Sequence, residues 1–242
     1  QRSCAASSRL TTRAVRTAAI LPVKSFPRAK QRLGAGVPDP LRLALARAMV
    51  ADVLDALSAT EGVELTVVVT RESEAAHAAS AGGARVIEDS SETGQSAAAA
   101  LGIAEALARG FERVLLVPGD CPALDPAELD PLLSEHGSDG PEVVILPDRH
   151  GTGTNGLLLT PPDAIPPSFG PGSRERHQAL ASEAGASHRI ERPASLLLDI
   201  DTGADLAVLR DRLSGERIRA ARTRAVLGLS VAPHVFSVTT PV

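Results

Sequence analysis

Three aspartates and two lysines hold most of the chemistry this chain could do. Asp120 follows the apolar run Arg113-Val-Leu-Leu-Val117 after a Pro118-Gly119 turn, and Asp199 and Asp201 flank Ile200. On an extended segment residues i and i+2 share a face, so Asp199 and Asp201 are predicted to point the same way with Ile200 packed behind them. Carboxylates converging from two strand ends suit Mg²⁺, a hard cation that takes one or two carboxylates and completes its shell with phosphates and water. Asp201 equally suits the N-cap of the helix that follows, since Asp is a preferred capping residue. Of 25 basic residues only Lys24 and Lys30 are lysine. Positive charge elsewhere is written as arginine, so compact ammonium groups in one loop suggest contact with a phosphate.

Two glycine-rich stretches add candidate anion sites. Gly151-Thr-Gly-Thr-Asn-Gly156 has the spacing of a dinucleotide fingerprint. That fingerprint must open a helix, whereas here Leu157-Leu-Leu-Thr160 and Pro161-Pro162 follow, which excludes it. The stretch reads instead as a loop offering N–H groups and hydroxyls to an anion. In Phe169-Gly-Pro-Gly-Ser173, Ser173 is predicted to cap the next helix, whose N-terminus would attract phosphate. Neither the P-loop pattern nor a Gly-x-Ser-x-Gly elbow occurs, and Cys121 has no histidine partner nearby in sequence. ATP hydrolysis on a P-loop and nucleophilic hydrolysis by Ser or Cys are thus unsupported.

The elements that must position these residues alternate along the chain. Strands are predicted at 17–23, 64–70, 84–88, 113–117, 143–146, 155–160, 187–191 and 196–200. Helices are predicted at 39–58, 71–80, 93–109, 126–136, 174–184 and 204–213. Strands separated by helices imply an α/β domain with a mostly parallel central sheet covered by helices on both faces. Ligands in such sheets gather at the carboxyl ends of strands. Those ends carry Lys24 to Arg32 (with Gly34 and Gly36 beyond), Glu88 to Gly94, Gly119-Asp120, Asp148 to Asn155, and Asp199-x-Asp201. Bases on one end and acids on two others suit a phosphate-bearing ligand held with a cation. Residues 17–213 read as one domain. Residues 1–16, with Arg2, Arg9, Arg13 and Arg16, read as a flexible extension, and 214–242 as a C-terminal extension resembling a frayed tail.

Composition narrows the ligand. The 242 residues hold no Trp, no Tyr and four Phe, with a formal charge of -4. A nucleic-acid binder would show a basic face and aromatic platforms, so a nucleobase bound here is read by hydrogen bonds and aliphatic packing. No apolar run is long enough to span a membrane, and no His or Cys spacing suits zinc. The two cysteines, Cys4 and Cys121, fit a reducing cytoplasm, although a bridge between them stays open.

Taken in order, Leu21-Pro-Val-Lys24, Ala29-Lys30-x-Arg32-Leu33, Pro118-Gly-Asp-Cys-Pro-Ala-Leu124, Asp148-Arg-x-Gly-Thr-Gly-Thr154, Phe169-Gly-Pro-Gly-Ser173 and Asp199-x-Asp-Thr202 form a set. The set resembles the guanylyltransferases that activate 2-phospho-L-lactate or phosphoenolpyruvate in making the deazaflavin coenzyme, across about residues 18–212. The resemblance implies a GT-A-like nucleotidyltransferase domain. It implies that Val23, Lys24, Lys30, Gly94, Gln95 and Gly119 contact GTP, with Lys24, Lys30 and Asp120 catalytic. Asp120, Asp199 and Asp201 would hold Mg²⁺, and Thr154, Gly170 and Ser173 the phosphorylated three-carbon acid. The base loop would lie near Glu92-Thr-Gly-Gln-Ser96, where the family often reads Leu-Asn in place of Gln95-Ser96. The resemblance is compatible with a homodimer and with hand-over to a downstream transferase of the same pathway.

Overall fold

Apolar runs of four to seven residues cannot bury both faces unless neighbours pair with them, and the computed structural model pairs seven into one sheet. It describes residues 15–28, 30–33, 37–135, 140–214 and 220–229. The strands are β1 (Thr17–Val23), β2 (Leu65–Thr70), β3 (Arg85–Glu88), β4 (Arg113–Leu116), β5 (Glu142–Pro147), β6 (Thr154–Thr160) and β7 (Ser187–Ile190). Their order is β3-β2-β1-β4-β6-β5-β7. Only β6 runs against its neighbours, β4 and β5; the other pairs are parallel.

The helices are α1 (Asp39–Ser58), α2 (Ser73–Ala81), α3 (Gln95–Ala108), α4 (Pro126–Ser134), α5 (Ser173–Glu183), α6 (Gly203–Leu213) and α7 (Ala221–Val226). Alternation within β1 explains how both faces are covered. Ala19, Leu21 and Val23 join a core with α1, α2 and α4, while Ala18 and Ile20 join another with α3 and α5. Each fully buried large aliphatic side chain contributes about 1.5–3 kcal/mol, so a strand buried on both faces anchors the fold. At Gly102 a Cβ would lie 2.4 Å from Ile20 Cγ2, so only glycine lets α3 lie this close to β1. That close approach fixes where the N-terminal end of α3 meets the sheet edge.

Three expectations need correction. Residues 196–200 form no strand: Ala194–Leu196 is a 3₁₀ turn, and the chain then leaves the sheet beyond edge strand β7. Its apolar residues serve two cores rather than a ladder, Leu196 in the α1/α2/α4 core and Leu198 and Ile200 in a third with α6. Arg16 is not part of a loose extension. Its guanidinium donates to Glu64 at 3.0 Å and lies 4.5 Å above the Phe111 ring. Residues 220–229 are not a frayed tail either. They include α7, which packs on α1 and whose N–H groups at Arg222 and Thr223 donate to the buried Asp52 carboxylate at 3.0 and 2.8 Å. Burial pushes the Asp52 pKa up even with these bonds. Gly34, Gly36, Cys4, His136 and the remainder of both extensions lie outside the described residues.

Candidate active site

The carboxyl ends of β1, β3 and β4, the start of β6 and the loop after β7 open onto one cavity of about 670 Å³. It is lined by Val23, Lys24, Lys30, Gly94, Gln95 and Gly119, by Asp120, Asp199 and Asp201, and by Thr154, Gly170 and Ser173. Every catalytic, nucleotide-binding, acceptor and metal residue that the resemblance implies therefore lines one cavity, whereas Gly151 and Gly156 of the glycine-rich stretch do not. Volumes of this order hold small-molecule and cofactor ligands.

Lys30 is the electrostatic centre. Its Nζ donates to Asp120 Oδ2 at 2.5 Å and to Asp201 Oδ1 at 3.0 Å, and its side chain is 8% exposed. Burial alone would lower its pKa, but the two carboxylates outweigh burial and hold the ammonium above its ordinary value. Lys24 stands exposed on the cavity wall nearer β1. The loop carrying it is tied down by two carboxylates, Glu92 of the expected base loop and Glu72, which the sequence gave no reason to single out. Glu92 accepts from the Ser25 N–H at 3.3 Å, and Glu72 accepts from the Phe26 N–H at 2.9 Å. Backbone strain gathers here as well: Lys30 and Glu92 have φ of 60° and 43°, a region non-glycine residues seldom occupy outside functional sites. Gly94, with φ of 132°, turns the chain into α3 where a side chain would be strained.

The Asp199-Ile200-Asp201 segment lies off the sheet, but its alternation survives. Ile200 is fully buried, both aspartates line the cavity, and the Ile200 N–H donates to Asp120 O at 3.1 Å. Asp201 is not the cap of α6. Thr202 is, with Asp205 closing the capping box by accepting from the Thr202 N–H at 2.7 Å. The Asp201 carboxylate is thereby released toward Lys30. Asp199 accepts from Asn155 Nδ2 at 3.2 Å, and burial followed by the nearby Asp120 carboxylate pushes its pKa up. Asn155 also donates to Leu196 O at 2.7 Å, fastening the aspartate segment to β6. Asp120 Oδ1 is buried without a hydrogen-bond partner. Among the described residues no three His, Cys, Asp or Glu side chains close into a metal cage. Cys121, beside Asp120, is buried and free, and burial pushes its thiol pKa well up, so it is no nucleophile.

Around β6 and α5 the cavity is lined by the hydroxyls of Thr154 and Ser173, the glycine loops and Asp148. Ser173 does not cap α5: Gly172 occupies that position, and Ser173 begins the helix with its Oγ buried and unpartnered. Gly172 adopts a left-handed conformation that a serine would resist. Thr154 opens β6, and its hydroxyl meets His177 Nδ1 at 3.0 Å. His177 and Arg176 are residues that sequence reasoning passed over as part of a polar helix. Arg176 gathers the loop before α5, donating to Ser168 O at 3.0 Å, Phe169 O at 3.3 Å and Pro171 O. Nothing in helical spacing marks either residue; the structure alone shows that they face the loop.

Residues 17–239 match the model of the family described as guanylyl transferase CofC like. A phosphoenolpyruvate guanylyltransferase of Conexibacter woesei is 48% identical over 211 residues, 87% of this chain and 95% of that protein. Another of that name from Sphaerobacter thermophilus is 38% identical, covering 80% and 92%. A solved structure, a putative nucleotide-diphospho-sugar transferase from Desulfovibrio desulfuricans G20, superposes with a TM-score of 0.69 at 19% identity, over 88% and 94% of the two chains. That likeness shows the α/β nucleotidyltransferase fold. By the family match and these relatives, the chain belongs to the CofC-like guanylyl transferase family.

Proposed function

We propose that this chain transfers the guanylyl group of GTP to phosphoenolpyruvate, releasing pyrophosphate, in the making of a deazaflavin coenzyme. The observation that carries the reading is one cavity lined by Lys24, Lys30 and three aspartates together with the hydroxyls of Thr154 and Ser173. A phosphate oxygen of the acceptor attacks the α-phosphorus. The bond from that phosphorus to the bridging oxygen breaks, and pyrophosphate leaves with the electron pair. A phosphomonoester has its second pKa at about 6, so at neutral pH the acceptor oxygen is already a nucleophile and needs no general base. What the protein supplies is placement and charge compensation, because the two ligands are both highly anionic.

Lys24 and Lys30 are assigned to the triphosphate, Val23 and Gly119 to the nucleotide through their backbone, and Gly94 and Gln95 to the base loop. Thr154, Gly170 and Ser173 are assigned to the acceptor. Asp120, Asp199 and Asp201 fit Mg²⁺ as an open site rather than a closed cage, since Asp120 presents a buried, unpartnered carboxylate oxygen. When bound, the cation supplies screening of the phosphate charge. Until ligands arrive, Lys30 balances two of the three carboxylates, which keeps the acidic cluster tolerable in the folded chain.

The test is pyrophosphate release with GTP and phosphoenolpyruvate, set against 2-phospho-L-lactate as acceptor and ATP and CTP as donors. GTP with phosphoenolpyruvate is expected to give the highest kcat/KM. Turnover that prefers another base or requires a different acceptor overturns the assignment.

A further inference from the structure

His177 is fully buried, and neither of its ring nitrogens faces the proposed reacting groups. Its Nε2 lies 2.9 Å from the Ser168 backbone nitrogen. A backbone N–H can only donate, so Nε2 must present its lone pair there, and the ring proton is therefore on Nδ1. Nδ1–H then donates to Thr154 Oγ1 at 3.0 Å. A hydroxyl has one hydrogen, and with its oxygen already accepting from the ring, that hydrogen is left for a partner on the cavity side. Thr154 lines the cavity together with Ser173, whose buried Oγ also has no partner within the protein.

We propose that His177 is a positioning residue which fixes the Thr154 hydroxyl as a hydrogen-bond donor to an anionic oxygen of the acceptor. The inference deepens the acceptor reading above and rests on it. Burial, with Arg176 beside it, lowers the His177 pKa to about 4, so the ring is neutral and keeps one tautomer at working pH. A second contact keeps the ring in place: Phe169 meets it edge-on at 5.4 Å between centroids. A charged ring would donate from both nitrogens and clash with the Ser168 N–H. A ring of the other tautomer would ask Thr154 to donate inward and leave the acceptor without that bond.

The experiment compares His177→Asn with His177→Gln in the full chain, with steady-state kinetics for each substrate and thermal unfolding alongside. Asn keeps an amide N–H near the Nδ1 position, whereas Gln keeps an acceptor near Nε2 but offers Thr154 no donor. His177→Gln is expected to raise the KM for phosphoenolpyruvate by about tenfold, as for a lost hydrogen bond to a charged group. His177→Asn is expected to raise it by less than about threefold, with the KM for GTP steady in both. Equal effects of the two variants, or a GTP KM that moves as far as the acceptor KM, reduce His177 to packing and overturn the inference while leaving the acceptor reading intact. Wild-type protein that turns over no phosphorylated three-carbon acid overturns both. Should neither variant fold, the ¹⁵N spectrum of the wild type decides: an Nδ1-protonated, neutral His177 is expected, and an Nε2-protonated ring overturns the assignment.

Discussion

The two sides of the cavity handle negative charge by different means. On the side built from the loops after β1, β4 and β7, charge meets charge: Lys30 spans Asp120 and Asp201, and Lys24 stands free to follow a mobile ligand. Opposite, at β6 and the start of α5, the groups are two hydroxyls, a glycine loop and a neutral histidine: Thr154 and His177 are joined by a hydrogen bond, and the Ser173 hydroxyl has no partner within the protein. Ion pairs are strong but weakly directional, which suits a triphosphate whose position is set by many contacts. Dipoles with fixed hydrogens are weaker but directional, which suits an acceptor whose attacking oxygen must lie in line with the bond that breaks. On the proposed reading, the fold separates neutralisation from aiming.

The sharpest way to break that comparison is Asp120→Asn. It keeps the shape and leaves Lys30 its bond to Asp201, so the fold should survive while the charged side loses its central carboxylate. Turnover is expected to fall by about 10³-fold or more, of the order of 4 kcal/mol in the barrier. Pyrophosphate release at the wild-type rate would remove Asp120 from the chemistry and dissolve the division of labour.

The aiming side answers to acid instead. An unfolded histidine titrates near 6.5 and His177 in the folded chain near 4. As pH falls, the unfolded state takes up a proton the folded state refuses. Stability is therefore full above about pH 6.5 and is lost from there down to about pH 4, by ~2 kcal/mol at pH 5 and up to ~3 kcal/mol in all. Denaturant unfolding at pH 7 and pH 5 should show that loss in the wild type and not in His177→Gln. A wild type and variant that lose stability in parallel would mean the ring is not held neutral.

The same contrast decides what could be read from the sequence. The charged side was legible because charge at the strand ends of a parallel sheet has few innocent uses, and Lys24, Lys30, Asp120, Asp199 and Asp201 were all found that way. They do line one cavity. The residues themselves mark two glycine-rich anion loops, around Thr154 and before Ser173, but only the resemblance assigns Thr154, Gly170 and Ser173 to the acceptor, because a threonine, a glycine and a serine have no periodicity that says which ligand they bind. His177 and Arg176 were missed for a related reason: on a short polar helix, spacing does not say which residue turns toward a loop. Local errors came from competition between equally sound rules. Asp201 could cap α6, but Thr202 with Asp205 three residues on makes the better box. Residues 196–200 read as a short apolar strand, but the chain makes a 3₁₀ turn at Ala194–Leu196 and buries Leu196, Leu198 and Ile200 in two cores instead of a ladder. The packing of α7 was hidden because its cap, Asp52, lies 170 positions earlier, where it reads as a polar residue in α1.

Gly102→Ala probes how the base loop is held relative to the acceptor loop. The new methyl would meet Ile20 Cγ2 at 2.4 Å, and that atom belongs to a fully buried side chain with little room to give. A cost of about 2 kcal/mol is expected in unfolding free energy. Moving α3 off β1 shifts Gly94 and Gln95 at its leading end, so the KM for GTP should rise several-fold while the acceptor KM holds. Equal change in both would show that the two sides move as one body.

Asp52→Asn should have the smallest effect and serves as the boundary of the comparison. Its carboxylate accepts two backbone N–H groups of α7. The amide keeps one good acceptor and loses the charge, for an expected loss of about 1 kcal/mol. Met49 and Val50 lie less than a turn away on α1 and do line the cavity, so a disturbance has a route to the site. It should not travel there, because Val50 is packed in the α1/α2/α4 core, and the substitution leaves in place the apolar contacts of the third core that Met49 shares with Ala220 and Leu227 at the ends of α7. The expected result is lower stability with both KM values unchanged. A shift in either KM would mean that α7 helps shape the cavity wall, and that charge compensation and aiming are not the only two functions this fold keeps apart.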